Sequence, residues 1–258
     1  MDINQVINIQ EYPINDLLFQ QQCKKLLDQD GALVLTGFLS DSAINMAIEE
    51  GKRKQDLAYY SKGGHNVFLK PSDLDFDIEH PRNKQVQSSK GCITDDQIDT
   101  SSPLRTLYDS NDFRLFLASV LGEQKLYNYA DALSSINLHY ASEGQELGWH
   151  FDESSFATTL LLQSPKAGGV FEYIGNMRDA DMGEMNYEGV ADVLAGKCES
   201  KVLHAGAGTL ILFRGRNAIH RVTPTEGDIT RMLVVLAYNS KPNVELSESA
   251  RMTFYGRI

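Results

Sequence analysis

The most informative segment of the chain is Leu147-Gly148-Trp149-His150-Phe151-Asp152-Glu153. It reads as the end of a β-strand, in which alternate side chains point to the same face. His150 and Asp152 are two positions apart, so the pattern places an imidazole and a carboxylate side by side. Such a pair can supply two ligands of a divalent metal, although a surface hydrogen bond is the alternative for a single His-x-Asp triplet.

A third candidate ligand, His220, follows in a later strand-like segment. Two imidazoles and one carboxylate on one face of a metal leave three coordination positions open, which is typical of non-haem Fe(II) sites. Arg231 then opens an apolar strand, and an arginine buried there requires an anion. An internal ion pair with Asp228 or Glu226 is the alternative for Arg231.

The composition narrows the classes of function. The chain has 258 residues, 42% of them hydrophobic, a net charge of −11 and a pI of about 5.0. This charge argues against a nucleic-acid or anionic-membrane surface and leaves cationic or zwitterionic small molecules open. We expect no secretion signal, because residues 1–5 lack a basic region followed by an apolar one, and no transmembrane helix, because no run of about 18 apolar residues occurs. Three scattered cysteines indicate a reducing, cytoplasmic environment.

Hydrophobic periodicity predicts helices first and strands afterwards. Helices are expected over 14–29, 41–54, from Ser102-Pro103, over 111–121 and around 187–195, with a short strand at 32–37. Residues 55–100 read as a long loop with short strands, for which a lid or binding segment is one interpretation and disorder the alternative. After Gly122 the predicted strands are 125–130, 134–141, 147–152, 156–163, 169–174, 201–204, 208–213, 219–223 and 231–239. Many short strands in succession favour a sandwich or jelly roll.

These elements predict one domain over residues 1–258, of mainly β (α+β) class. Its helical N-terminal part covers about 1–122, and its β core about 123–258. The oligomeric state is open, with a homodimer as one alternative.

The chain resembles the Fe(II)/2-oxoglutarate-dependent dioxygenase superfamily, whose core is a double-stranded β-helix of the jelly-roll or cupin-like type. The resemblance is carried by the runs 148–163 and 168–173, by Leu212-Phe213-Arg214-Gly215-Arg216 and by Tyr255-Gly256-Arg257. These runs resemble a branch that acts on free amino acids, lysine-like ones among them, and that contains both hydroxylases and radical halogenases.

The resemblance implies Fe(II), 2-oxoglutarate and O₂ as cofactors. The metal ligands and catalytic residues would be His150, Asp152 and His220. Arg231 would hold the distal carboxylate of 2-oxoglutarate. Tyr140 and Asn137, on the preceding strand, are further candidates for co-substrate binding, with structural hydrogen bonding as the alternative.

The candidate substrate-binding residues surround the His-x-Asp segment or lie in the long loop. Glu153 and Asp131 would attract the ammonium group of a basic amino acid, whereas a solvated hairpin is the alternative. Arg82 is a candidate for a substrate carboxylate, and Trp149 for a contact or for core packing. The remaining histidines lack a partner pattern and are treated as non-ligands: His65, His80, His139 and His204. Arg214 and Arg216 are assigned to salt bridges, with anion binding as the alternative.

Asp152 distinguishes between the two chemistries of the branch. In the halogenases a glycine or alanine replaces the carboxylate ligand and leaves room for chloride. The aspartate therefore favours hydroxylation of a free amino acid, such as L-lysine, with release of succinate and CO₂. The alternatives are a hydroxylase of a protein residue or other natural product, a halogenase, and a non-catalytic jelly-roll binding protein.

Overall fold

The computed structural model describes residues 1–258, which form seven α-helices and fifteen β-strands. The helices are α1 (Ile3–Val6), α2 (Leu17–Asp30), α3 (Asp41–Lys54), α4 (Pro103–Asp109), α5 (Asn111–Leu121), α6 (Tyr187–Leu194) and α7 (Glu248–Tyr255). The strands are β1 (Ala32–Leu35), β2 (Tyr59–Asn66), β3 (Gln85–Ile93), β4 (Tyr127–Asn128), β5 (Ile136–Ala141), β6 (Leu147–His150), β7 (Ala157–Gln163), β8 (Ala167–Gly168), β9 (Phe171–Ile174), β10 (Lys201–Leu203), β11 (Thr209–Phe213), β12 (Ile219–Val222), β13 (Thr225–Glu226), β14 (Arg231–Leu236) and β15 (Tyr238–Asn239).

Eleven strands form one antiparallel sheet in the order β1-β11-β7-β14-β5-β3-β6-β12-β9-β10, with β2 paired to the outside of β3. The sheet is nearly barrel-shaped. Strand β3 joins its two halves, because it pairs with β5 through Gly91–Ile93 and with β6 at Ser88. The predicted jelly-roll core with flanking helices is confirmed.

Strand β14 shows how the sheet separates a cavity from the core. Side chains alternate between the two faces of a strand. Arg231, Leu233 and Val235 face the interior of the barrel and line its cavity. Met232 and Val234, on the other face, join a core of 36 buried residues that the sheet shares with the N-terminal helices.

The helices begin at capping side chains. The side chains of Asp16, Ser40 and Ser110 accept hydrogen bonds from backbone N–H groups in the first turns of α2, α3 and α5. Helix α5 ends at Gly122, whose φ of 77° is the left-handed conformation that glycine adopts without strain. None of the helices combines the length and the apolar composition needed to cross a membrane.

The prediction for residues 55–100 is wrong in part. Strands β2 and β3 form a hairpin of eight consecutive residue pairs, and β3 occupies the middle of the sheet. The N-terminal part is therefore not only helical. Strand β2 lacks apolar alternation because it pairs with one neighbour and is largely exposed. Two polar residues on one face of β3 have separate reasons: Lys90 lines the cavity, and the Ser88 hydroxyl bonds to Gly148 and His65.

Tyr140 belongs to the core beneath the helices, which corrects its assignment to co-substrate binding. It lies on β5 between residues that face the cavity, so its own side chain points the other way. The ring is fully buried, and its hydroxyl donates a hydrogen bond of 2.8 Å to the carbonyl of Gly51 in α3. The tyrosine therefore anchors α3 to the sheet.

We expect Tyr140→Phe to lower the free energy of unfolding by about 0.5–1.5 kcal/mol, because a buried hydrogen bond is lost. Urea denaturation measures this change. The affinity for 2-oxoglutarate should stay unchanged, and a marked loss would return Tyr140 to the co-substrate site. Tyr60→Phe is the matched control, since the Tyr60 hydroxyl lies at the surface and bonds only to Gln55. This control should change stability by less than about 0.5 kcal/mol.

Candidate metal and active site

Strand pairing brings the three predicted metal ligands together. His150 ends β6 and is directly paired with His220 of β12, while Asp152 follows two residues after His150. The Asp152 Oδ1 atom lies 3.8 Å from His150 Nε2 and 3.6 Å from His220 Nε2. One ligand atom from each residue lies within 4.8 Å of the other two, a spacing that suits a shared metal ion.

The two imidazoles are oriented by backbone carbonyls. The Nδ1 atom of His150 contacts the carbonyl oxygen of Gly148 at 2.9 Å, and that of His220 contacts the carbonyl of Ala218 at 3.0 Å. A carbonyl oxygen only accepts, so each Nδ1 carries the proton and donates. Each Nε2 lone pair is left free to face the other two ligands. This arrangement fixes the tautomer that a metal requires.

Burial also sets the protonation of these groups. It lowers the pKa of His150 to about 3, and the neighbouring His220 acts in the same direction. Burial works to raise the pKa of Asp152, but His220, His150 and Lys90 outweigh it and hold that pKa below its ordinary value. At neutral pH the site therefore contains a neutral His150 and an ionised Asp152, which are ligand forms.

The Asp152 carboxylate has a buried oxygen that the protein does not satisfy. Its Oδ2 atom has no hydrogen-bond partner. Burying a carboxylate that is not fully hydrogen-bonded is costly, and a divalent cation bound at Oδ1, the oxygen that faces both imidazoles, would compensate its charge. The residues present therefore fit a metal held by His150 Nε2, His220 Nε2 and Asp152, with three coordination positions left open.

Gly215 makes room for this carboxylate. A methyl group added at Gly215 would lie 1.9 Å from Asp152 Oδ2, much closer than atoms in contact. The Gly215 carbonyl also accepts a hydrogen bond of 3.1 Å from the backbone N–H of Asp152. Gly215, two residues after the end of β11, thus positions the Asp152 carboxylate. The sequence did not reveal this role, because a glycine in a polar turn has many explanations.

The ligands open into a cavity of about 600 Å³ inside the barrel. Its walls are mostly apolar, with Leu161, Phe171 and Phe213 among them. Asp152 is the only carboxylate that lines it, whereas three lining residues are cationic: Arg231 and Lys90 inside the cavity and Lys166, which is exposed. A pocket of this size and composition suits small molecules that are fixed by a few polar groups.

Arg231 is buried without an anionic partner. Its residue is 9% exposed, and its guanidinium forms no ion pair or hydrogen bond, so the alternative of an internal pair with Asp228 or Glu226 is wrong. Burial lowers the pKa of Arg231 to about 10. A buried guanidinium facing a cavity requires an anion from outside the chain. Binding of 2-oxoglutarate there stays a prediction.

The side chain of Asn137, like that of Tyr140, forms structural hydrogen bonds, and its assignment to co-substrate binding is corrected. Its amide donates to the carbonyl of Leu133 at 2.8 Å, and its oxygen accepts from the Tyr255 hydroxyl at 2.9 Å. It faces a smaller neighbouring cavity rather than the one that contains the ligands. The side chain therefore fastens the C-terminal helix α7 to β5.

Neither acidic candidate for the substrate lies in the cavity. Asp131 is buried, and its carboxylate accepts from the backbone N–H groups of Leu133, Ser134 and Leu246, which corrects its assignment to substrate binding. Burial works to raise the pKa of Asp131, but these hydrogen bonds lower it. Glu153 is exposed beside Asp152 and pairs with the ammonium of Lys70.

Arg82 and Trp149 also lie outside the cavity lining. The Arg82 guanidinium sits 5.9 Å from the ring centroid of Phe68 and donates to the carbonyl of Pro71 at 3.1 Å. Trp149 packs beneath the Arg221 guanidinium, 4.7 Å from the ring, so it is a packing residue. A role for Arg82 in substrate binding stays a prediction.

The two arginines near Gly215 form the expected salt bridges. Arg214 pairs with Asp28, and Arg216 pairs with Asp181, both at 2.8 Å. A third arginine, Arg178, was not singled out in the sequence. It stacks 4.1 Å from the Phe151 ring and donates to the Asp152 carbonyl at 3.4 Å, which braces the ligand segment from outside.

Ser88 and His65 support the first ligand from the hairpin of β2 and β3. The Ser88 hydroxyl accepts a hydrogen bond of 2.9 Å from the N–H of Gly148, whose carbonyl orients His150. His65 Nε2 contacts the same hydroxyl at 2.7 Å. These residues were missed because the sequence does not show that this hairpin pairs with β6.

We expect Gly215→Ala to weaken Fe(II) binding at least tenfold, because the added methyl group displaces the Asp152 carboxylate. Anaerobic titration with Fe(II) measures this affinity. Gly175→Ala is the matched control, since Gly175 has open space around its Cα, and it should bind Fe(II) like the wild type. Unchanged affinity in Gly215→Ala would contradict the position of the third ligand.

Comparison with known proteins identifies the family and the fold. The model of the HalD family, described as Halogenase D, matches residues 65–254. A search of curated protein sequences returns no match to this chain.

Solved structures show the same fold at low sequence identity. An oxidoreductase of the 2OG-Fe(II) oxygenase family from Burkholderia pseudomallei is similar with a TM-score of 0.57 and 12% identity, over 87% of this chain and 92% of that chain. AviO1 from Streptomyces viridochromogenes Tue57 is similar with a TM-score of 0.58 and 15% identity, over 88% of this chain and 97% of that chain. The non-heme alpha ketoglutarate dependent epimerase SnoN from nogalamycin biosynthesis is similar with a TM-score of 0.58 and 13% identity, over 86% of this chain and 81% of that chain.

The fold is thus that of the 2OG-Fe(II) oxygenases, and its cavity carries the His150, Asp152 and His220 triad. The family match covers well over half of the sequence and includes all three of these residues. The chain belongs to the Halogenase D family.

Proposed function

We propose that this protein is an Fe(II)- and 2-oxoglutarate-dependent hydroxylase of a free amino acid. The observation that carries the proposal is the buried Asp152 carboxylate, whose Oδ1 lies 3.6–3.8 Å from the Nε2 atoms of two oriented imidazoles. A third protein ligand occupies the position that a glycine or alanine would leave open for chloride. The presence of Asp152 therefore favours hydroxylation over halogenation within this family.

The roles of the residues follow from their contacts. A ferrous ion held by the triad would supply O₂ activation, coupled to conversion of 2-oxoglutarate to succinate and CO₂ and to insertion of one oxygen atom into a substrate C–H bond. The Gly148 and Ala218 carbonyls keep both Nε2 atoms aimed at that ion. Arg231 binds the distal carboxylate of 2-oxoglutarate, and the apolar walls exclude water.

A basic amino acid, such as L-lysine, is the substrate that we favour. The support is Glu153, which lies directly after the ligand Asp152 and already pairs with the ammonium of Lys70. The same carboxylate could exchange this internal ammonium for that of a substrate. The acidic net charge of the chain also favours a cationic ligand.

Halogenation is the second candidate, because the matching family is described as Halogenase D. The direct test is aerobic incubation with Fe(II), 2-oxoglutarate, chloride and a panel of free amino acids, analysed by mass spectrometry. We expect the gain of one oxygen on an amino acid, with an equimolar amount of succinate. Gain of chlorine would refute the hydroxylase assignment.

We expect Asp152→Gly to lose at least 99% of the hydroxylated product, because the third ligand is removed. The same mass-spectrometric assay measures the product. Asp228→Gly is the matched control, since Asp228 is exposed and forms no ion pair, and it should retain full activity. Full hydroxylation by Asp152→Gly would show that Asp152 is not a ligand.

We expect Arg231→Met to weaken 2-oxoglutarate binding at least tenfold, because the distal carboxylate loses a buried, charged partner. Anaerobic calorimetry on the Fe(II) protein measures the dissociation constant. Arg251→Met is the control, because Arg251 is a half-buried arginine of the C-terminal helix α7 that does not line the cavity. It should leave that dissociation constant unchanged. Equal 2-oxoglutarate affinity in Arg231→Met and wild type would exclude Arg231 from the co-substrate site.

A further inference from the structure

A second cation lies in the cavity without a role in the reaction described above. Lys90, on β3, lines the cavity and forms no ion pair. Its Nζ atom approaches Nδ1 of His139, on β5, at 3.4 Å. Both residues also border the smaller cavity of about 200 Å³ that reaches Tyr255, so they stand where the two spaces meet.

The Lys90–His139 pair presents only hydrogen-bond donors. An ammonium group has no acceptor, so Nδ1 of His139 must accept from Lys90 and the ring proton must be on Nε2. Burial lowers the pKa of His139 well below its ordinary value, with Lys90 and Arg231 acting in the same direction. The neutral His139 therefore offers an Nε2–H for which the protein supplies no acceptor.

The charges around the cavity do not balance without a further anion. Inside the cavity, Lys90 and Arg231 are two cations and Asp152 is the single carboxylate; Lys166 also lines it, but it is exposed and its charge is solvated, so it is left out of the sum. A ferrous ion would add two positive charges, so the net charge would be three. The 2-oxoglutarate dianion would compensate two of these charges. One positive charge would remain in an apolar cavity, where an uncompensated charge is unfavourable.

Arg231 and the Lys90–His139 pair lie at different positions along the sheet. Arg231 is paired with Ala141, whereas His139 is paired with Leu233, the next inward-facing residue of β14. Successive positions on one face of a strand are about 7 Å apart. An anion on Arg231 and an anion on the Lys90–His139 pair would therefore be neighbours along the cavity.

We propose that Lys90 and His139 form a second carboxylate site, which binds the carboxylate of the substrate beside the 2-oxoglutarate held by Arg231. This inference rests on the proposed function and restricts it. A free amino acid carries the required carboxylate, whereas a residue inside a protein chain has converted its own into an amide. Lys90 and His139 are thus specificity-determining residues.

The test is a binding measurement that does not depend on turnover. The anaerobic protein with Fe(II) and 2-oxoglutarate is titrated calorimetrically with the free L-amino acids and with their carboxamides. We expect the amino acid that binds to do so at least tenfold more tightly than its carboxamide. Lys90→Met should weaken the binding of that amino acid at least tenfold and leave the dissociation constant of 2-oxoglutarate unchanged.

Two variants serve as controls. Lys25→Met removes an exposed lysine of α2 that has no ion pair, and it should bind both ligands like the wild type. Lys90→Arg keeps the positive charge and should recover part of the lost affinity. If Lys90→Met instead loses affinity for 2-oxoglutarate, Lys90 belongs to the co-substrate site and the proposal is overturned. Equal binding of acid and carboxamide would overturn it as well.

A minimal probe separates this proposal from the choice of substrate. Acetate, compared with chloride at equal ionic strength, should raise the Tm of the anaerobic Fe(II)–2-oxoglutarate protein, because a ligand that binds the native state stabilises it. Lys90→Met should not respond. If no amino acid binds and acetate still stabilises only the wild type, the amino-acid function fails and the carboxylate site stands. An equal shift in Tm for the wild type and Lys90→Met would overturn the carboxylate site.

Discussion

The site depends on the register between β6 and β12. His150 faces His220 directly across this antiparallel pair, so both imidazoles enter the same side of the barrel. A slip of one residue would turn His220 to the opposite face and dismantle the triad. The Asp152 N–H then bonds to the Gly215 carbonyl, which closes the third ligand onto the other two. The metal-binding geometry is thus a consequence of backbone pairing, and the flanking glycines supply the space.

The electrostatics of the barrel complement this geometry. Burial favours the neutral form of His150, and two cations inside the cavity, Lys90 and Arg231, have no acidic partner in the chain. Such an interior is unfavourable when empty and becomes balanced when anions enter it. The polar strand β3 explains why Lys90 is tolerated there. Lys90 itself lines the cavity, while the core lies on the other side of the sheet.

The sequence predicted what depends on local pattern and failed where contacts are long-range. Helices α3 and α5 and the alternating strand β14 were recognisable from periodicity and caps, and the triad from the spacing of His150 and Asp152. Tyr140 and Asp131 were misassigned because proximity along the chain does not tell which face of a strand, or which backbone amides, a side chain meets. Lys90 and Gly215 were missed because their importance arises only after β3 and β11 are placed beside the ligands.

The central claim is that His150, Asp152 and His220 together bind one iron. A crystal structure of the protein grown anaerobically with Fe(II) and 2-oxoglutarate tests it most directly. The account predicts a single iron coordinated by His150 Nε2, His220 Nε2 and one Asp152 oxygen at about 2.0–2.2 Å, with the far carboxylate of 2-oxoglutarate on Arg231. Iron bound elsewhere, or bound without the Asp152 carboxylate, would contradict it.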